Sequence, residues 1–192
     1  MFKQNIKKMV GVAFLIAMIF VMQYIGGLIP SVSGFNISLV LLPIVLGAIV
    51  FGPGSGALLG ATFGIITFIN CVTGADPGGA MVFQASPLLC LLVVVLKGTL
   101  AGLASGWVYR LLHKGNSYLA ALCASIVCPV VNTGVFLACM GLFFMEVLTA
   151  WAQGGSVLAY VLSGLVLANF LPELVINVVF SPIANRIQRI VK

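Results

Sequence analysis

The chain has 192 residues, 62% of them hydrophobic and only 6% charged. An average soluble domain carries about 25% charged residues, so this composition excludes a soluble surface and requires a membrane domain. The net charge of +6 then reports orientation rather than nucleic-acid binding, because Lys and Arg mark the cytoplasmic side and no basic stripe is present.

Six apolar runs follow in chain order. The first, residues 9–29, comes after Lys3, Lys7 and Lys8. It is longer than the h-region of about 7–15 residues in a secretory signal. A retained span is therefore expected, although Ser31-Val32-Ser33 loosely resembles a cleavage site. Residues 30–35 form a loop, and 36–51 a second, shorter span. Gly52-Pro53-Gly54-Ser55-Gly56 reads as a tight turn, followed by a third span at 56–70. The second and third are near or below the ~20 residues that usually cross a bilayer. Residues 71–87 are the longest connection, with a turn at Asp76-Pro77-Gly78-Gly79. The fourth span, 88–112, is closed by Tyr109, Arg110, His113 and Lys114. Asn116 and Ser117 offer an N-cap to the fifth span, 117–145, which contains Pro129. A polar connection holding Glu146 and Trp151 leads to the sixth span, 157–183, with Pro172 inside it. Arg186, Arg189 and Lys192 form the tail.

With the N-terminus inside, eight of the nine Lys and Arg residues fall in inner segments, and the three outer connections hold none. The expected fold is an all-α integral membrane protein: one domain over 1–192, a six-transmembrane-helix bundle with both termini cytoplasmic. Gly52, Gly56, Gly60 and Gly64 in the third run, and Gly98, Gly102 and Gly106 in the fourth, recur every four residues. Such strips let helix backbones approach closely, which here implies packing within the bundle. A similar strip, Ala13 and Ala17 after Gly11, faces either the bundle or a partner helix.

The ninth basic residue, Lys97, lies inside the fourth span. It is ~14 Å down a helix from Leu88 at 1.5 Å per residue, hence in the outer half of the membrane. A charge in hydrocarbon marks a functional candidate. It is either a fixed cation awaiting an anionic ligand or one half of an ion pair with Glu173. Asn169, Glu173 and Asn177 share a helical face at four-residue spacing, and Asn132 follows Pro129, whose ring frees a carbonyl. Glu173 is either a hydrogen-bonded partner of these amides or a ligand contact. Trp151 is an interfacial anchor or a cover over a site. The five cysteines, Cys71, Cys90, Cys123, Cys128 and Cys139, have no metal spacing and read as small apolar packing residues. No cofactor is implied. There is no P-loop, no metal cluster, and the one histidine, His113, sits beside Arg110 and Lys114 rather than beside a nucleophile. An enzyme is not expected.

The small-residue strip at Ala13 and Ala17 and the block LLPIVLGAIVFGPGSGALLGATFGIITFI (41–69) resemble the substrate-binding S components of energy-coupling factor (ECF) vitamin transporters, over nearly the whole chain. The likeness is greatest to pantothenate-type members. It lies in the ITFI end of the third span, in Ser86-Pro87-Leu88, and in a fourth span where Gly102 and Gly106 precede Tyr109. That group carries an arginine after a proline where this chain has Leu96-Lys97, so the charge is kept and the guanidinium fork lost. The resemblance implies a multi-pass protein of the bacterial plasma membrane that captures a water-soluble vitamin from outside, pantothenate first, riboflavin or folate otherwise. It implies docking through Ala13 and Ala17 onto a transmembrane coupling subunit driven by two cytoplasmic ATPases, and toppling in the membrane. A carboxylate ligand suits Lys97; Asn132, Asn169 and Gln84 would bond its hydroxyls or amide, with Glu173 and Trp151 nearby. Rival readings are a ligand-free membrane scaffold, in which Lys97 and Glu173 pair, and an ion-coupled carrier. The carrier would be marked by inverted repeats, and none is visible.

Overall fold

The computed structural model describes residues 2–28 and 39–191, and every regular element among them is helical. Helix α1 is Phe2–Leu28, α2 Leu41–Phe51, α3 Pro53–Thr73, α4 Pro77–Ala85, α5 Pro87–Leu112, α6 Ser117–Phe143, α7 Met145–Trp151 and α8 Val157–Tyr160. A π-helical stretch, Val161–Phe170, then joins α9, Leu171–Val191, without a break. Five of these segments are long and apolar enough to cross a membrane: α1, α3, α5, α6 and the run from α8 through α9. The expected loop at 30–35 and the start of the second span lie outside the described residues.

Several boundaries differ from expectation for local reasons. Helix α2 has 11 described residues, about 16 Å at 1.5 Å per residue, which does not cross hydrocarbon about 30 Å thick. The segment read as a five-residue turn is only Gly52, whose φ of 94° suits glycine. Pro53 starts α3, because proline at the first helical position forfeits an N–H that has no partner anyway. The same device places α4 inside the connection read as loop and turn: Asp76 stands at the cap position with extended backbone and Pro77 begins the helix. The fifth run ends at Phe143, and Phe144 breaks it from α7. The sixth extends to Val191, so Arg186 and Arg189 lie on helix rather than in a tail. Asn116 caps α6 as expected, its Oδ1 accepting from the amides of Tyr118 at 2.9 Å and Leu119 at 3.2 Å.

Pro172 has an unexpected consequence. A proline in an α-helix removes one hydrogen bond and its ring meets the carbonyl four residues back. The preceding turns widen to π geometry, which accommodates that carbonyl, and π turns recur at functional sites.

The bundle is built on α3 against α5. A Cβ placed on Gly64 would lie 2.5 Å from the Val94 carbonyl oxygen and from the Val95 Cα. Gly60 and Gly98 face each other in the same way, as do Gly56 and Gly102, each against the other's backbone carbonyl. The two helices therefore touch main chain to main chain over more than two turns, antiparallel. Ser105 adds a hydrogen bond to the Ala124 carbonyl at 3.0 Å, fastening α6 one turn before its Pro129.

At one end of the bundle Lys8 shares a groove with Gly52, Tyr109, Arg110 and His113. Ser117, next to the Asn116 cap, donates to Asn185 of α9 and lies 3.4 Å from the Tyr109 hydroxyl. Lys8 of α1, Arg110 of α5 and, next to Asn185, Arg186 of α9 thus gather at this end. From there a buried polar stripe, Gln188, Asn185, Ser181, Asn177 and Glu173, climbs α9 toward the other end.

Replacing Gly60 with Val is expected to cost at least the ~1–3 kcal/mol of ordinary overpacking, because its new carbons meet backbone that cannot rotate away. Gly141→Ala, at a position with open space, is the control. Thermal unfolding in detergent measures both; equal melting temperatures for Gly60→Val and wild type would remove the interlock.

Candidate functional site

The glycine contacts bring the last turns of α3 against the first turns of α5. Between them, α6, the π stretch, α9 and α4 enclose a cavity of about 70 Å³. From α3 come Phe63, Thr67 and Cys71; from α5, Cys90, Val93, Val94 and Lys97. Helix α6 contributes Asn132, Thr133 and Phe136, all within two turns after Pro129. Leu165 and Asn169 come from the π stretch, Glu173 from α9 and Gln23 from α1. Asp76, Gly79 and Val82 close it from α4 and the residue before it.

Lys97 is partly buried, and its Nζ lies 4.7 Å from the ring centroid of Phe136 and 5.8 Å from that of Phe63. Aromatic faces attract a cation by ~0.5–2 kcal/mol depending on desolvation, so the two rings hold the ammonium at the cavity. Glu173, 2% exposed, and Asp76 both act on that ammonium electrostatically. Three acceptors at the cavity have no hydrogen-bond partner: Oδ1 of Asp76, of Asn132 and of Asn169. Buried acceptors left unmade cost about 1–3 kcal/mol each, so the cavity offers sites for a donor-bearing guest or water. Burial pushes the Asp76 carboxyl up from its ordinary range; the Gly79 amide, the Lys97 ammonium and the Gly78 amide pull it down without cancelling that rise.

The cavity is small. It holds a few waters at about 10–15 Å³ each, against ~300–1,000 Å³ for a typical ligand pocket. Its cover is α4. Gly74, with a left-handed φ of 75°, precedes α4, and extended Ser86 follows it.

The structure brings together four of the residues singled out in the sequence: Lys97, Asn132, Asn169 and Glu173. Gln84 lies elsewhere, on the exposed face of α4. Trp151 does not line the cavity; it is 8% exposed and packs with Met140, Val147, Leu148 and Leu165, its ring 6.3 Å from that of Tyr160. Asn177 is buried but donates from Nδ2 to the Glu173 carbonyl at 2.8 Å, a structural use. Ala13 and Ala17 are exposed on the outer face of α1, and Ala13 lines a shallow groove with Met9, Ile16 and Leu58.

Asp76, Thr67, Thr133 and Gln23 were not singled out as site residues. Asp76 had a signal, being the one acid in residues 71–87, and Gln23 is the lone amide in the first run. Cys71 and Cys90, read as separate packing residues, meet thiol to thiol in the cavity wall. Nothing in their 19-residue separation announces that pairing.

Comparison with known proteins supplies the remaining observation. The family model described as "ECF transporter, substrate-specific component" matches residues 7–184. The chain is 27% identical over 179 residues, 88% of this chain and 87% of the relative, to the pantothenic acid transporter PanT of Lactococcus lactis subsp. cremoris (strain MG1363). No solved structure gives a significant match.

The electrostatics of the cavity predict a coupled response. Lys97→Met leaves Glu173 and Asp76 without their shared cation. It is expected to destabilise the empty protein by less than the ~3–5 kcal/mol seen on breaking a fully buried pair, since Lys97 is only partly buried. Glu173→Gln in that background should restore most of the loss. A double-mutant cycle on thermal stability measures the coupling; strictly additive losses would show that the two charges do not interact.

Proposed function

The chain belongs to the family of substrate-specific components of ECF transporters, and from that premise we propose that it captures pantothenate from outside the cell and hands it to an ECF module. The observation that carries this reading is Lys97, held by two aromatic rings at a closed cavity otherwise lined by amides, hydroxyls and apolar side chains. Pantothenate carries a carboxylate at one end, an amide in the middle, and two hydroxyls beside a pair of methyl groups at the other. The carboxylate is placed on Lys97. The amide and hydroxyl donors answer the open acceptors of Asn132 and Asn169. Val82, Val93 and Leu165 take the methyl groups, in the manner of ordinary small-molecule pockets. Likeness to a pantothenic acid transporter supports this choice.

In this reading the bundle crosses the bacterial plasma membrane six times. Both termini are cytoplasmic. The basic end of α1, α5 and α9 favours that orientation, and in it the cavity and its α4 cover lie in the outer half. Ala13 and Ala17, exposed on α1, form the surface that docks on the coupling subunit. In this reading partner ATPases supply the energy.

A ligand that binds the folded state raises stability by ~2.7 kcal/mol when present at a hundred times its dissociation constant. Pantothenate is therefore expected to raise the melting temperature of the purified protein by several degrees, with riboflavin and folate as comparisons. No shift with any vitamin favours the ligand-free scaffold. The charge-balanced variant Lys97→Met/Glu173→Gln should fold yet bind pantothenate at least about a hundredfold more weakly, a loss of roughly 2.7 kcal/mol. Ala13→Trp and Ala17→Trp should abolish pantothenate uptake in cells holding the complete transporter while leaving binding by the purified chain intact. Normal uptake in both would remove the docking surface.

A further inference from the structure

The charges around the cavity do not balance an anionic guest. The titratable groups facing it are Cys71 from α3, Asp76 ahead of α4, Cys90 and Lys97 from α5, and Glu173 from α9. Helices α1 and α6 and the π stretch contribute only neutral side chains, Gln23, Asn132, Thr133 and Asn169 among them. Thiols are neutral at physiological pH unless activated. Among the described residues one ammonium therefore faces two carboxylates at the cavity, a balance of minus one before any ligand arrives. An added carboxylate makes it minus two in one small cavity, and carboxylates sharing one site do not all stay ionised.

We propose that an anionic vitamin enters this cavity together with one proton, and that Asp76 is the residue that holds it. The inference rests on the carboxylate-binding reading given above. Asp76 is the carboxylate at the cover rather than in the core. It stands at the start of α4, only partly buried, within reach of a solvent proton, whereas Glu173 is 2% exposed. Its Oδ1 has no hydrogen-bond partner, so an acid proton there finds no competing donor and becomes a donor toward the guest. In the empty state Asp76 and Lys97 attract each other across the cavity. The ligand carboxylate takes over Lys97, Asp76 loses its counter-charge, and a proton from solvent replaces it. On release of the ligand the proton leaves and the attraction between cover and ammonium returns. Asp76 thereby makes the site selective for anions accompanied by a proton.

The sign of the linkage follows. The occupied site binds one more proton than the empty site, so affinity rises as pH falls, by up to about tenfold per pH unit where the uptake is complete. Calorimetric titration of the purified full-length chain with sodium pantothenate, in buffers of different ionisation enthalpy, counts the protons. About one proton taken up per pantothenate is expected near neutral pH. Pantothenol, the neutral alcohol analogue, should bind the same protein without proton uptake. Asp76→Asn should bind pantothenate with no uptake and a flat pH profile. Pantothenate binding without proton exchange in the wild type, or full uptake in Asp76→Asn, overturns the inference and leaves the functional reading standing. Absence of pantothenate binding from about pH 5 to about pH 9 removes both.

Discussion

The antiparallel contact of α3 with α5 is the constraint on which the rest of the molecule depends. Hydrocarbon gives helices no hydrophobic reason to associate, so close van der Waals packing must hold them. Gly56, Gly60 and Gly64 on one side, and Gly98 and Gly102 on the other, let the main chains meet without intervening side chains. This contact fixes the relative height of the two helices. It therefore decides that Phe63, Thr67 and Cys71 of α3 stand level with Cys90, Val94 and Lys97 of α5. The cavity is the space left where the glycine strips end and side chains resume.

Around that rigid pair, the helices that complete the site are interrupted ones. Helix α6 carries Pro129 below Asn132, Thr133 and Phe136. The π stretch carries Asn169 immediately ahead of Pro172. Each proline removes a backbone donor, and in a membrane the freed groups are tolerated only where protein or a water-lined cavity receives them. The irregular segments are consequently found against the cavity, while the regular pair forms the opposite wall. A short cover, α4, lies between Gly74 and Ser86, separate from the α3–α5 contact. The charges divide in the same way: Lys97 and Glu173 belong to the walls, and Asp76 stands at the start of the cover.

Much of this was legible in one dimension. The apolar runs, the cap at Asn116, the glycine periodicity and the lone intramembrane lysine each leave a signal that is local or strictly periodic. Helix starts at Pro53 and Pro77 were misread as turns, because Gly and Pro punctuate loops and open helices with the same letters. Gln84 was grouped with the site because it is polar and near Lys97 in sequence, yet α4 turns it outward. Trp151, read as anchor or cover, does not line the cavity and is one member of the apolar cluster that packs α7 against α6 and the π stretch.

By itself the sequence determined the class of protein, since that depends on how much apolar and basic material the chain contains and in what order. It also determined that Lys97 needs a partner, because a charge in hydrocarbon needs one wherever the neighbours fall. Only the tertiary structure decided who those neighbours are. Asp76 and Glu173 are 97 residues apart in sequence, and the packing of α3 on α5 and the closing of α4 bring both to the same ammonium. Distances between side chains on different helices follow from how backbones pack, and no periodicity along a single helix encodes them.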